Sequence, residues 1–444
     1  MVPGGWITEM RRQLGRAGVR DALQNFSWLT GERVLQLAVG MVVGVWVARA
    51  LGPERFGLYS YALAFATLFA GLAGLGMDAV VVRDLVRRPE QAGTIIGTAF
   101  RLRVGGALAF TAVLTMVALA LYRREPETLA LILVFAASTP FRAFDLVDMW
   151  FQARTQVAPV VQARSATYLA GSAARVGILL ASGGSLLALA AVEPFAAALG
   201  AALLVRAFRR SAPELGAGLW EREVAAALLH EGWPMLLASM GVIVYMRIDQ
   251  IMLQNLGGGG SHSLGLYSAA LRLSEATYML PTAIVTAVFP HIVHSRTQGR
   301  EVYESRLGRL FAVMTALALA LAVPMTFLAR PVVALLFGPS FAGAAPILAV
   351  HIWTTVFVFW GVLGGAWMVS EGLTRISPIR SLQGAIINVL MNLWLIPRYG
   401  GLGAAIATLV SQACAVSFLN LTDARTRVLF RLQLGSFRPG RLLR

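Results

Sequence analysis

The chain has 444 residues, of which 57% are hydrophobic and only 14% charged, with a mean hydropathy of +0.69. Soluble domains carry about 25% charged and 45–50% apolar residues, so a water-soluble globule is excluded and a polytopic membrane protein is indicated. All 38 basic residues are arginine, which removes Walker-type phosphate loops and Lys Schiff-base chemistry. The single Cys414 allows neither an intrachain disulfide nor a cysteine-built zinc site.

A hydrocarbon core about 30 Å thick takes roughly 20 helical residues. In chain order, residues 1–24 carry Arg11, Arg12, Arg16 and Arg20 without the apolar stretch of a signal peptide, and read as an amphipathic segment on anionic lipid. Apolar spans are expected at about 25–50, 56–78, 98–122, 128–151, 157–181 and 185–208, an N-lobe within 25–210. A polar linker, 211–229, separates it from a C-lobe, 230–422. The C-lobe spans fall at about 230–256, 264–293, 306–329, 342–370, 377–397 and 401–422. An Arg-rich tail, 423–444, closes the chain as a second interfacial segment.

Twelve spans put both termini on one side. The tails and even-numbered loops hold 26 arginines and the odd-numbered loops six. Positive charge stays cytoplasmic, so both termini are expected there. The net charge of +16 is then topology and anionic headgroups, with no nucleic acid implied.

The chain repeats itself. Gly57-Leu-Tyr-Ser-Tyr-Ala-Leu63 opens the second span and Gly265-Leu-Tyr-Ser-Ala-Ala-Leu271 the eighth, 208 residues on. Trp28 and Trp233, Trp150 and Trp367, and Pro159 and Pro378 keep similar offsets. An even number of spans per repeat makes the halves parallel. Two facing six-helix bundles are a transporter's architecture.

Leu51-Gly-Pro53 with Phe56-Gly-Leu-Tyr-Ser60, Trp150-Phe-Gln-Ala153, and Arg247-Ile-Asp-Gln-Ile-Met-Leu253 followed by Gly265-Leu-Tyr-Ser268 and Arg272-Leu-Ser-Glu275 carry a family resemblance. Over roughly residues 25–425 the chain resembles the polysaccharide-transporter branch of the MOP flippase superfamily, the Wzx-type O-antigen flippases, more than its drug-exporting or lipid II branches. A glycine-rich loop, Gly257–Ser261, departs from the short polar turn expected there. The resemblance implies an all-α, V-shaped, two-lobed fold and an undecaprenyl-diphosphate-linked oligosaccharide as substrate.

Charges inside a bilayer are costly and by default functional. Arg33, Arg142 and Arg164 in the first half, and Arg247 and Arg272 in the second, fall roughly 10–14 Å from a membrane face. Arg175 is somewhat shallower. The planar guanidinium fork binds phosphate oxygens bidentately, so both tiers are expected to face one cavity and hold a diphosphate. The competing reading pairs each arginine with an acid: Arg142 with Asp145, Arg272 with Glu275 at helical spacing, or Asp249 with Arg272 across helices. Asp145, Asp249 and Glu275 serve either in such pairs or in Na⁺ or H⁺ coupling. Pro194, Pro281 and Pro324 are hinge candidates expected to break their helices near mid-membrane. Asn388 and Asn392 read as interhelical hydrogen-bonding groups.

The expected function is alternating-access flipping, without catalysis, cofactor or metal. It serves surface polysaccharide assembly in a bacterial inner membrane, with membrane lipids and polysaccharide polymerase or assembly proteins as partners. A cation-coupled exporter of small amphiphiles and a lipid II-type flippase are the alternatives. A polytopic glycan enzyme fits poorly, because the odd-numbered loops are only roughly 5–14 residues long.

Overall fold

A computed structural model describes residues 16–182, 184–212, 218–373 and 376–437. The first 15 residues of the expected N-terminal segment, part of the linker and the end of the tail lie outside the described residues. The protein is a multi-pass, all-helical membrane protein. Nine helical stretches among the described residues are long and apolar enough to cross a bilayer.

Two of them each contain two passes. Helix α1 (Arg16–Ala70) is interrupted at Gly52, whose φ of 72° breaks the helix. A straight helix would hold Gly40 and Thr67 about 40 Å apart, yet both line one cavity, so the chain folds back there. The next helices are α2 (Asp78–Arg87), α3 (Ala92–Tyr122) and α4 (Pro126–Ala136). A 3-10 turn (Thr139–Asp145) leads to α5 (Leu146–Ala153), α6 (Ala158–Ser182) and α7 (Leu186–Ser211). The second half holds α8 (Arg222–Leu256), α9 (Gly260–Glu275), α10 (Met279–His294), α11 (Arg300–Phe337), α12 (Ala344–His351) and α13 (Thr354–Ser370). Helix α14 (Ile376–Val416) is interrupted at Gly400, and α15 (Arg427–Gly435) ends the described chain.

Asn388 Nδ2 donates to Thr408 Oγ1 at 3.4 Å and Ser411 Oγ at 3.3 Å. That is possible only if α14 folds back at Gly400. Asn392 donates to Asn388 Oδ1 at 2.9 Å, one turn away on the same pass, so of the two asparagines only Asn388 makes the expected bonds across helices among the described residues. With these two fold-backs and α6, which matches the expected span 157–181, the twelve expected segments all have helical counterparts among the described residues.

The packing explains the V shape. Around Gly52 and the α8–α9 turn, both halves share one core, containing Tyr59 and Phe65 beside Leu264, Tyr267 and Phe341. At the opposite end the cores separate, one around Trp150 and Phe151 and one around Phe311 and Phe359. There the halves touch along one edge, where Gly76 meets Gly232 and Gly97 meets Gly218 backbone to backbone. The Thr98 hydroxyl donates to the Leu219 carbonyl at 3.3 Å and accepts from the Glu221 amide at 3.1 Å, strapping the linker to α3. Large apolar residues such as Leu180, Phe327 and Leu335 stay more than 70% exposed, as a lipid-facing surface requires.

Two expectations need correction. Helices α7 and α11 run unbroken through Pro194 and Pro324, since a single missing N–H in a long apolar helix is accommodated locally. Pro281 alone adjoins an interruption, the 3-10 turn Ala276–Tyr278. The C-terminal helix does not lie on lipid by its apolar face: Leu429 and Leu432 are buried in the second-half core, leaving Arg427 and Arg431 exposed.

Candidate functional site

Between the arms of the V lies a cavity of about 520 Å³. Both passes of α1 form one wall and α8 and α9 the other, while the 3-10 turn, α6 and α7 close one side. Arg142, Arg175, Arg247 and Arg272 line it against two carboxylates, Glu193 and Glu275. Arg175 Nη2 donates to Glu193 Oε2 at 2.7 Å, which neutralises one pair. Among the described residues Arg142, Arg247 and Arg272 have no carboxylate within ion-pair distance. Three guanidinium groups outside any ion pair therefore converge from both halves, with Glu275 the one remaining carboxylate in the lining to offset them.

Arg272 shows how the fold places such a group. It rises from α9 on the second half, and its guanidinium lies where a Cβ on Gly44 of α1 would be. Gly44 thus opens a slot in the first half for an arginine of the second. The ring of Phe56 lies 5.8 Å below the Arg272 guanidinium carbon, a cation–π contact that orients the fork without using its N–H groups.

The expected first-half tier is only partly assembled. Arg142 enters the central cavity. Arg164 lines a smaller side chamber and donates to Asp148 Oδ2 at 2.5 Å. Arg33 is exposed and lines neither cavity; its neighbour Glu32 is the buried one, accepting from Gln36 Nε2 at 3.0 Å. Adjacent residues on a helix point about 100° apart, so depth alone did not identify the inward one.

None of the expected acid–arginine pairs forms within ion-pair distance. Asp145 lines the side chamber, and Glu275 the central cavity. Asp249 is buried away from both, where it accepts from the Tyr267 hydroxyl and from the Gln250 amide at 2.8 Å. Its partner is thus the tyrosine of the second heptad, not Arg272. Gly44 and the cavity-lining Gln36, Tyr59, Tyr168 and Gln250 were not anticipated. Small and neutral residues give no charge signal, and which face of a helix turns inward depends on its neighbours.

Solved structures share this fold. An inward-facing multidrug-resistance MATE transporter of the MOP superfamily superimposes with a TM-score of 0.68 at 17% identity, covering 90% of this chain and 96% of that one. The lipid II flippase MurJ, in an inward closed conformation, gives 0.67 at 12% identity, covering 93% and 90%. The fold is therefore that of the MOP superfamily of membrane transporters. Within it, the profile of the polysaccharide biosynthesis protein family matches residues 22–296, and the chain belongs to that family. The probable flippase AglR of Haloferax volcanii is 32% identical over 188 residues, 41% of this chain. That match spans 38% of the length of AglR.

Proposed function

We propose that the protein is a flippase that moves an undecaprenyl-diphosphate-linked oligosaccharide from the cytoplasmic to the periplasmic leaflet by alternating access, for surface polysaccharide assembly. The observation that carries this reading is the convergence of Arg142, Arg247 and Arg272, unpaired and drawn from both halves, on one cavity. A diphosphate supplies the anionic oxygens these forks bind, and the polyprenyl tail can remain in lipid while the headgroup crosses. An exporter of cationic amphiphiles would need the opposite cavity sign. Family membership and the likeness to AglR support the same direction.

The arginine asymmetry orients the molecule with both termini in the cytoplasm and the shared core on the periplasmic side, so the described state is closed outward. Binding the diphosphate between the two walls favours closure of the open end, because closure draws the arginines of both walls nearer to it. The protein would act in the inner membrane alongside polysaccharide polymerase or assembly proteins. Transport of a fluorescent undecaprenyl-diphosphate oligosaccharide in proteoliposomes tests this. Wild type should exceed protein-free vesicles. The Arg247→Ala, Arg272→Ala double variant should lose at least about tenfold, since each charged hydrogen bond contributes about 1.5–3 kcal/mol. Unaltered transport by that variant would overturn the reading.

A further inference from the structure

We infer that the side chamber of the first half is a subsite for one neutral sugar ring, the ring bonded to the diphosphate. This rests on the lipid-linked glycan reading of the central cavity and adds a determinant of which headgroups are accepted.

The chamber holds about 320 Å³ between the 3-10 turn, α6 and α7. It is not isolated: Gln36, Arg142, Tyr168, Arg175 and Glu193 line both it and the central cavity. A group bonded to a phosphate held by Arg142 would enter it directly. Its size is at the lower end of small-molecule sites, about 300–1,000 Å³. That admits one ring and leaves the remaining glycan in the central cavity.

Its lining selects the chemistry. Sugar hydroxyls both donate and accept, and the chamber offers both functions. Ser138 Oγ donates to the Phe135 carbonyl at 2.7 Å and is left as an acceptor, while the Thr167 hydroxyl, buried without a hydrogen-bond partner among the described residues, can donate. Phe141 and Tyr168 add ring surfaces. A prenyl tail is disfavoured, because it would desolvate these polar groups without bonding them.

Charge sets the sugar class. Arg175 is paired with Glu193 and Arg164 with Asp148. With Arg142 engaged at the boundary, Asp145 is the lining carboxylate left without an ion-pair partner among the described residues. A neutral ring can donate a hydroxyl to it, whereas an acidic sugar would set a second carboxylate beside it, which is unfavourable in a partly desolvated site. The space exists because the facing wall is small. Gly171, Ala197 and Gly200 line it, and a Cβ on Gly200 would already sit 3.4 Å from Thr167 Oγ1.

The test measures binding of three probes to the purified full chain: farnesyl diphosphate, its glucosyl ester and its glucuronosyl ester. In wild type the glucosyl ester should bind at least about tenfold more tightly than farnesyl diphosphate, and the glucuronosyl ester no more tightly than farnesyl diphosphate. Ala197→Leu, which fills the chamber, should abolish the glucosyl advantage and leave farnesyl diphosphate binding within about twofold. Thr167→Val keeps the side-chain shape and should reduce the same advantage severalfold, so the result does not depend on whether Ala197→Leu folds. Equal binding of glucosyl ester and farnesyl diphosphate by wild type overturns the subsite and leaves the diphosphate reading intact. A preference for the glucuronosyl ester overturns the neutral class. Failure of wild type to bind any of the three overturns the underlying reading itself.

Discussion

Gly57 and Gly265 meet where the two halves join, and neither helix leaves room for a side chain on the other. A Cβ on Gly57 would overlap the Ser261 carbonyl and the Gly265 amide; one on Gly265 would overlap the Pro53 carbonyl. The two glycines open the repeated heptads, 208 residues apart. The contact is reciprocal, as in an isologous interface between identical subunits, so the duplicated segment packs against its own copy.

Gly265→Val should therefore force this end apart. In a Cys414→Ala background carrying Ser60→Cys, which lines the central cavity, thiol labelling from the face bearing Gly52 should become severalfold faster. Unchanged labelling would show that another contact closes this end.

Arg272 is expected to act on the substrate and not to neutralise Glu275. Arg272→Ala should lower transport at least about tenfold. Adding Glu275→Ala should not restore it, because the two side chains form no ion pair. Gly44→Leu should produce a similar loss from the opposite wall by displacing the guanidinium, with insertion unchanged. Recovery of transport in the Arg272→Ala, Glu275→Ala variant would return Arg272 to a structural role.

Tyr267 supplies the hydroxyl that satisfies buried Asp249. Tyr267→Phe removes it with little change of shape and should cost about 1–3 kcal/mol, the penalty of an unsatisfied buried polar group. A lowered Tm in detergent checks this. Adding Asp249→Leu removes the orphaned acceptor and should recover part of the loss; no recovery would mean that Asp249 has a further partner.

Asp423 connects α14 to the docked α15. It accepts from the Arg425 amide at 2.9 Å and from Arg425 Nη2 at 2.9 Å, and these bonds push its carboxyl down to about 2. A depressed carboxylate contributes above its unfolded value, about 3.9, and the contribution is lost as pH falls through the folded one. The protection of residues 427–435 from hydrogen exchange, taken relative to the intrinsic rate at each pH, should therefore be insensitive to this group from neutrality to about pH 4, then fall between about pH 4 and 2. Asp423→Asn should remove that acid-dependent component.

Much of the architecture was legible because it is written in one dimension. Hydropathy runs of bilayer length show as spans, and the GLYS repeat shows as a duplication. The site was legible as a set of residue types: Arg142, Arg247 and Arg272 stand out because a charge in an apolar run is too costly to keep without a use. The errors share a cause. Arg33 and Glu32 have the same depth, and only helix rotation distinguishes them. Asp145 and Arg142 have pairing-compatible spacing, yet no ion pair forms between them among the described residues, and Arg142 reaches the central cavity while Asp145 stays in the side chamber. Pro194 and Pro324 were expected to break helices that their surroundings keep intact.

By itself, then, the sequence determined a multi-pass helical membrane protein, a repeated heptad and the arginines within its spans, because the bilayer imposes a length and a polarity on each residue run. The tertiary structure decided which arginines share a cavity, that Gly44 makes a slot for Arg272, that Tyr267 takes Asp249, and that a side chamber adjoins the central cavity. Those facts depend on the rotation of each helix and on close approaches between segments some 200 residues apart. No local pattern encodes them, since they are fixed only when every face of every helix is packed at once.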